Sequence, residues 1–163
     1  MNAQRSTVAA ILFLVAAAAG GAEPSAVTSV SFFVSARGAV RDRNLSEGDL
    51  RRIFLGEISR WPNGHRIVLY VRSFDSAAGR LFLDRLIRMS DIDYAQWWLG
   101  AVFRGRAAAA PRVMMSPDAM SRAVAANADA IGFDSSSSLD SDLAIVMIDG
   151  RTPNDPGYPI RAR

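Results

Sequence analysis

The stretch Leu45-Ser46-Glu47-Gly48-Asp49-Leu50-Arg51-Arg52-Ile53-Phe54-Leu55-Gly56-Glu57-Ile58-Ser59-Arg60-Trp61-Pro62-Asn63-Gly64 is the part of this chain whose reading decides the fold. Ser46 with Asp49 three residues on is a capping box, in which the Ser oxygen takes an orphan backbone N–H of a helix start and the acid reaches back to the cap. Leu50, Ile53 and Phe54 fall on one helical face, so the helix has a side to bury. Gly56 suits the left-handed residue just past a helix end. Trp61-Pro62-Asn63-Gly64 is a turn whose Pro and Gly preset the backbone while the indole packs back on the domain.

Outward from this segment, strand patterns alternate with helical ones. Val30-Ser31-Phe32-Phe33-Val34 has the branched and aromatic content of a buried strand, and Arg66-Ile67-Val68-Leu69-Tyr70-Val71 is nearly continuous in apolar residues. Such a run is expected for a central strand covered by helices on both faces. Ser76 to Met89 is helical in pattern, with Arg80, Asp84 and Arg88 as a polar stripe in which Asp84 and Arg88 are placed to pair. Ser90 with Asp93 is a second capping box, opening a helix that carries Trp97, Trp98, Val102 and Phe103 towards the core. Val113 to Met115 is a short extended piece, and Ser116-Pro117 starts a further helix lined by Met120, Ala123 and Val124. Strands at 130–133 and 143–148 follow, separated by a Ser-rich loop, and the tail from Thr152 to Tyr158 is irregular. The order predicts an α/β fold, a mixed sheet flanked by helices.

The first residues have a separate task. Arg5 precedes a small and apolar run from Val8 to Ala19 and then Gly20-Gly21-Ala22, a small-x-small cleavage site, so residues 1–22 are expected to be a cleavable secretory signal peptide. The run is shorter than the roughly 20 residues that span a bilayer. A periplasmic protein is expected, with residues 23–163 as a single domain long enough to bury a proper core. The chain has no Cys, so packing alone must hold an exported fold. All its basic side chains are Arg, and the formal net charge of +3 falls by one if Arg5 is removed. Nothing resembles the dense basic stripe that nucleic-acid binding needs.

The best candidate site is the polar turn Arg72-Ser73-Phe74-Asp75-Ser76-Ala77-Ala78-Gly79, running from the strongest strand into a helix start. Backbone N–H groups at such a start attract anions, and an Arg fork with a Ser hydroxyl can complete an oxyanion site. The same residues admit a purely structural reading, with Asp75 or Ser76 capping the helix and Arg72 paired to a neighbouring acid.

Several segments together resemble the phosphate-binding proteins of ABC importers: residues 45–64, Phe82, Trp97-Trp98 before Phe103-Arg104-Gly105, Ala130-Ile131-Gly132-Phe133, and Asp149-Gly150 with Tyr158-Pro159-Ile160. The resemblance implies one lobe of a type II periplasmic binding protein, in a short single-lobe form. It also implies that the turn binds phosphate, because the family reads Arg-Ser-Asp-Gly-Ser-Gly-Thr there, and Arg72, Ser73 and Ser76 match. Phe74 stands where the family has Asp, Asp75 replaces a Gly, and Ala77 and Ala78 replace Gly and Thr.

Other candidates carry less. His65 is the only histidine and sits in a turn without a second metal ligand at suitable spacing, so no metal site is expected. Asp134, Asp140 and Asp142 flank the serines at 135–138 without the EF-hand spacing, which leaves a solvated loop. A nucleophilic triad has no support, and neither enzyme activity nor a cofactor is expected. Two functions follow. The first is a solute-binding-type protein taking a small oxyanion, phosphate by default, in association with the membrane subunits of an ABC importer. The alternative is an accessory or protein-interaction domain of the cell envelope that has lost ligand binding. The sequence does not decide between them, nor whether two copies pair to supply the missing lobe.

Overall fold

The computed structural model describes residues 29–38, 40, 43–135 and 141–162. The expected signal peptide and the middle of the Ser-rich loop, with Asp140, lie outside them. The elements are β1 (Val30–Ser35), β2 (Asn44–Leu45), α1 (Glu47–Phe54), β3 (Val68–Arg72), α2 (Ala77–Phe82), a π-helical turn (Leu83–Ile87), α3 (Asp91–Phe103), β4 (Arg112–Met114), α4 (Pro117–Ala125), β5 (Ala130–Ser135) and β6 (Leu143–Ile148). They build a six-stranded mixed sheet in the order β2-β6-β1-β5-β3-β4. β1 runs antiparallel to β5 and β6, whereas β3 is parallel to both β5 and β4.

Alternation along β1 assigns the two faces. Phe32 joins the larger core with Phe54, Phe82 and Phe133, beneath α1, α2 and α3; Phe33 joins a smaller one with Tyr70, Met120 and Val124 beneath α4. In the larger core Phe82 stacks on Phe133 at 4.2 Å between ring centres, and Phe54 meets Phe32 edge-on at 5.6 Å. Such pairings add to the area that the rings bury.

The caps form where the sequence places them. The Asp49 N–H donates to Ser46 Oγ at 3.0 Å, the Asp93 N–H to Ser90 Oγ at 3.1 Å and the Ala119 N–H to Ser116 Oγ at 3.2 Å. Gly56 ends the first helical segment at φ 74°, and a Cβ there would lie 2.7 Å from the Trp98 ring. Glycine is thus required twice over, for its backbone and for the indole beside it. Trp61 and Trp98 are both buried in the core. Trp61 Nε1 donates to the Asp129 carbonyl at 2.9 Å and Tyr94 Oη to the Phe54 carbonyl at 2.7 Å, tying the turn and α3 into the frame.

Four expectations are corrected. β3 is interior but one place from the sheet edge, and Val68 and Leu69 are half-buried because β4 pairs only with Tyr70, Val71 and Arg72. The Ser76–Met89 helix changes to a π turn after Phe82, and Arg88 leaves it with φ 58°. That extra residue per turn breaks the four-residue stripe. Asp84 meets Arg85 and Arg88 meets Glu47, each at 3.2 Å, so the Asp84–Arg88 pair does not form. On α3, Trp98 is buried and Trp97 half-buried, but Phe103 is 90% exposed and Val102 is exposed as well. Finally, the sequence pattern passed over β2, two residues long, which extends the sheet beside β6.

Candidate functional site

Arg72 closes β3, opposite Met114 of β4, and is 6% exposed. Its Nη1 donates to the Met114 carbonyl at 3.0 Å, and its Nε lies 3.1 Å from Oδ2 of Asp134. Asp134 belongs to β5, the strand on the other side of β3, and faces Ser31 of β1 across the sheet. Burial pushes the Asp134 carboxyl above its ordinary range, and the Ser135 N–H and the Arg72 charge pull it partly back. The ion pair is close but out of line. Arg72 Nε, Asp134 Oδ2 and the hydroxyl of Ser31 are buried and make no hydrogen bond among the described residues. A buried polar atom without a partner is costly, a cost that the packing around the interior strands β1, β5 and β3 must offset.

The rest of the turn folds onto itself. The Ser73 N–H donates to the Met114 carbonyl at 3.0 Å. Ser76 caps α2: its Oγ accepts the Gly79 N–H at 3.0 Å and donates to the Ser73 carbonyl at 2.6 Å. Gly79 permits the close approach, since a Cβ there would lie 2.2 Å from the Ser73 carbonyl oxygen. Phe74 packs edge-on against Tyr94, with ring centres 5.6 Å apart. Asp75 is exposed, and its carbonyl accepts from Arg80 Nη1.

Arg72, Ser73 and Ser76 therefore do come together in one turn. The guanidinium is engaged by Asp134 and Met114, and the Ser76 hydroxyl is used twice within the backbone of the turn. Asp134 is the residue that the sequence reading placed wrongly: it is part of a buried pair, with no place in a solvated loop. The signal for it was indirect, an acid ending the run Ala130-Ile131-Gly132-Phe133 and an Arg72 in need of a counter-charge. His65 lies elsewhere, exposed, with Nδ1 3.0 Å from Asp129 Oδ1. Among the described residues no group of three His, Cys, Asp or Glu could hold a metal ion, and no helix is long and apolar enough to cross a membrane.

The fold has solved counterparts. An ABC-type phosphate transport receptor from Vibrio cholerae superposes with a TM-score of 0.60 at 20% identity, over 77% of this chain and 48% of that one. PstS from Borrelia burgdorferi superposes with a TM-score of 0.62 at 19% identity, over 82% of this chain and 54% of that one. The chain thus spans about half the length of these receptors, and its fold is that of a phosphate-binding protein in single-lobe form. No protein-family model and no curated protein matches the sequence.

Proposed function

We propose that residues 23–163 form an exported, non-enzymatic interaction domain of the cell envelope, a solute-binding lobe kept as a scaffold with its oxyanion turn closed. The observation that carries this reading is the engagement of Arg72. The guanidinium that would grip an anion is buried, neutralised by Asp134 and bonded to a main-chain carbonyl. An incoming oxyanion would have to displace a carboxylate from a desolvated site, and breaking a buried pair leaves an uncompensated charge. Phe74 supports the same reading, because a ring packed on Tyr94 occupies the position next to Arg72 and Ser73. Export rests on the Val8–Ala19 run and the Gly20-Gly21-Ala22 site.

The second reading is phosphate or another small oxyanion held by Arg72, Ser73 and Ser76, in association with an ABC importer. It is favoured by Ser31 Oγ and by the ion-paired Arg72 Nε and Asp134 Oδ2, buried atoms that make no hydrogen bond among the described residues and that a ligand could complete. Calorimetric titration of the secreted protein with phosphate and with sulfate separates the two. The first reading expects no binding heat from the wild type or from Asp75→Asn, which removes a repulsive charge and keeps a capping oxygen. Measurable binding that Arg72→Ala weakens by about tenfold or more would establish the second.

A further inference from the structure

β4 joins β3 only from Tyr70 onward, which leaves the edge of β3 before that residue without a neighbouring strand. A cavity of about 180 Å³ fills this gap, between residues 66–69 and the small side chains of Ala107 to Ala110. It takes residues from both faces of the sheet. Ile58, Ile67, Leu69 and Trp98, which line it, belong to or pack on the larger core, whereas Val68 packs on the smaller one. Strand alternation sets Arg66 on the side of Val68, and Arg112 shares the side of its partner Tyr70. Both arginines line the cavity. The gap therefore has an apolar side with an indole on it and a side bearing two cations.

We infer that this gap binds a small monocarboxylate with an apolar body, its ring or branched chain against Trp98 and Leu69 and its carboxylate turned to Arg66 and Arg112. The charges select an anion. No acid lines the cavity, and among the described residues no hydrogen bond or ion pair engages the side chain of Arg66 or Arg112. The acids at hand are occupied: the Asp129 carboxylate lies 3.0 Å from His65 Nδ1, and that of Glu57 lies 3.5 Å from Arg52 Nε. Arg60 also stands directly opposite Arg66 in an antiparallel bridge, a placement of like charges that costs stability unless an anion offsets it. Arg60 itself donates to the Gly64 carbonyl at 2.7 Å, which leaves Arg66 as the free cation of the pair. The apolar side then selects a carboxylic acid over a bare inorganic oxyanion, which would have nothing to set against the indole. The volume is below the roughly 300–1,000 Å³ of sites for drug-sized ligands and suits one ring with a carboxylate. This site lies at the opposite end of β3 from the closed turn, so it adds to the interaction-domain reading without depending on it.

Amide NMR titration of the secreted protein with phenylacetate tests it, beside phenylacetamide, the uncharged molecule of the same shape. Phenylacetate is expected to shift residues 56–59, 66–69 and 107–112, saturating with a Kd of about 1 mM or tighter, as suits a ligand of so few atoms. Arg66→Gln and Arg112→Gln should each weaken it by roughly fivefold, and the double variant should bind the acid no better than the amide. Melting temperatures should stay near the wild type, because both side chains are exposed. Absence of saturable shifts overturns the inference, as do equal affinities for acid and amide, indifference to both arginines, or shifts centred on Leu99 and Val113 instead. The tripeptide Gly-Gly-Phe presents the same ring and carboxylate at a chain end. Tighter binding than phenylacetate would make a peptide terminus the source of the ligand, and weaker binding a free acid. Phosphate is titrated separately, and any shifts it causes at residues 72–79 belong to the oxyanion turn, so the two sites stand or fail independently.

Discussion

The turn at 72–79 and the outer face of α3 are opposites. The turn is made of Arg, Ser and Asp, residue types that suggest a ligand, yet its Arg is buried and its capping Ser is bonded within the protein. The helix face is made of Ile, Leu, Val and Phe, types that suggest a core, yet it stands exposed. Polarity in a sequence shows that a group needs partners, and apolarity that it favours burial. Neither shows whether the chain itself supplies the other half. Here it does so for the turn and leaves the helix face uncovered.

The largest expected effects test the closed turn. Arg72→Met should cost about 3–5 kcal/mol, because it strands the buried Asp134 carboxylate, and adding Asp134→Leu should recover most of that loss. Chemical denaturation of the two variants measures both, and a single variant of near wild-type stability would mean that the pair carries no weight. A pH dependence follows. The Asp134 carboxyl already sits above its ordinary value, and Arg72→Met removes a charge that lowers it, so it should rise further. Between the unfolded and folded values the native state then holds more protons, so stability increases as pH falls and is lost as pH rises through the folded value. Melting temperatures of Arg72→Met should therefore climb on mild acidification more steeply than those of the wild type.

Two aromatics of one helix sharpen the contrast. Trp98→Ala should cost about 3–5 kcal/mol, the range for large-to-small aromatic changes in cores. Phe103→Ser should change the unfolding free energy by no more than about 0.5 kcal/mol, as exposed positions do. Equal losses would place both rings in the core. Between these extremes, Ser76→Ala removes a cap from α2 and should cost about 1 kcal/mol by denaturant unfolding. A neutral result would mean that Gly79 and its neighbours hold the turn without it.

Much of the frame was legible because its signals are local. Ser46, Ser90 and Ser116 each act on a backbone N–H three residues away, and Gly56 answers a conformation at its own position, so the short stretch around each residue contains the whole cause. The strands at 30–35, 68–72, 130–135 and 143–148 follow from runs of apolar residues that must lie between layers. The π turn was hidden because its register depends on packing around Leu83 and Ile87, and β2 because two residues carry no period.

What the sequence alone determined, then, is most of the elements, with their caps, and three residues of the turn, Arg72, Ser73 and Ser76. Only the tertiary structure decided what those residues touch. Asp134 stands 62 positions from Arg72 and reaches it because β5 lies beside β3 in the sheet. Phe103 is exposed because the core behind α3 is already filled by Tyr94, Trp98 and Ala101. Both outcomes depend on which surfaces the fold brings together, and contact across a sheet or a helix pair is set by strand order and packing rather than by the residues on either side in the chain.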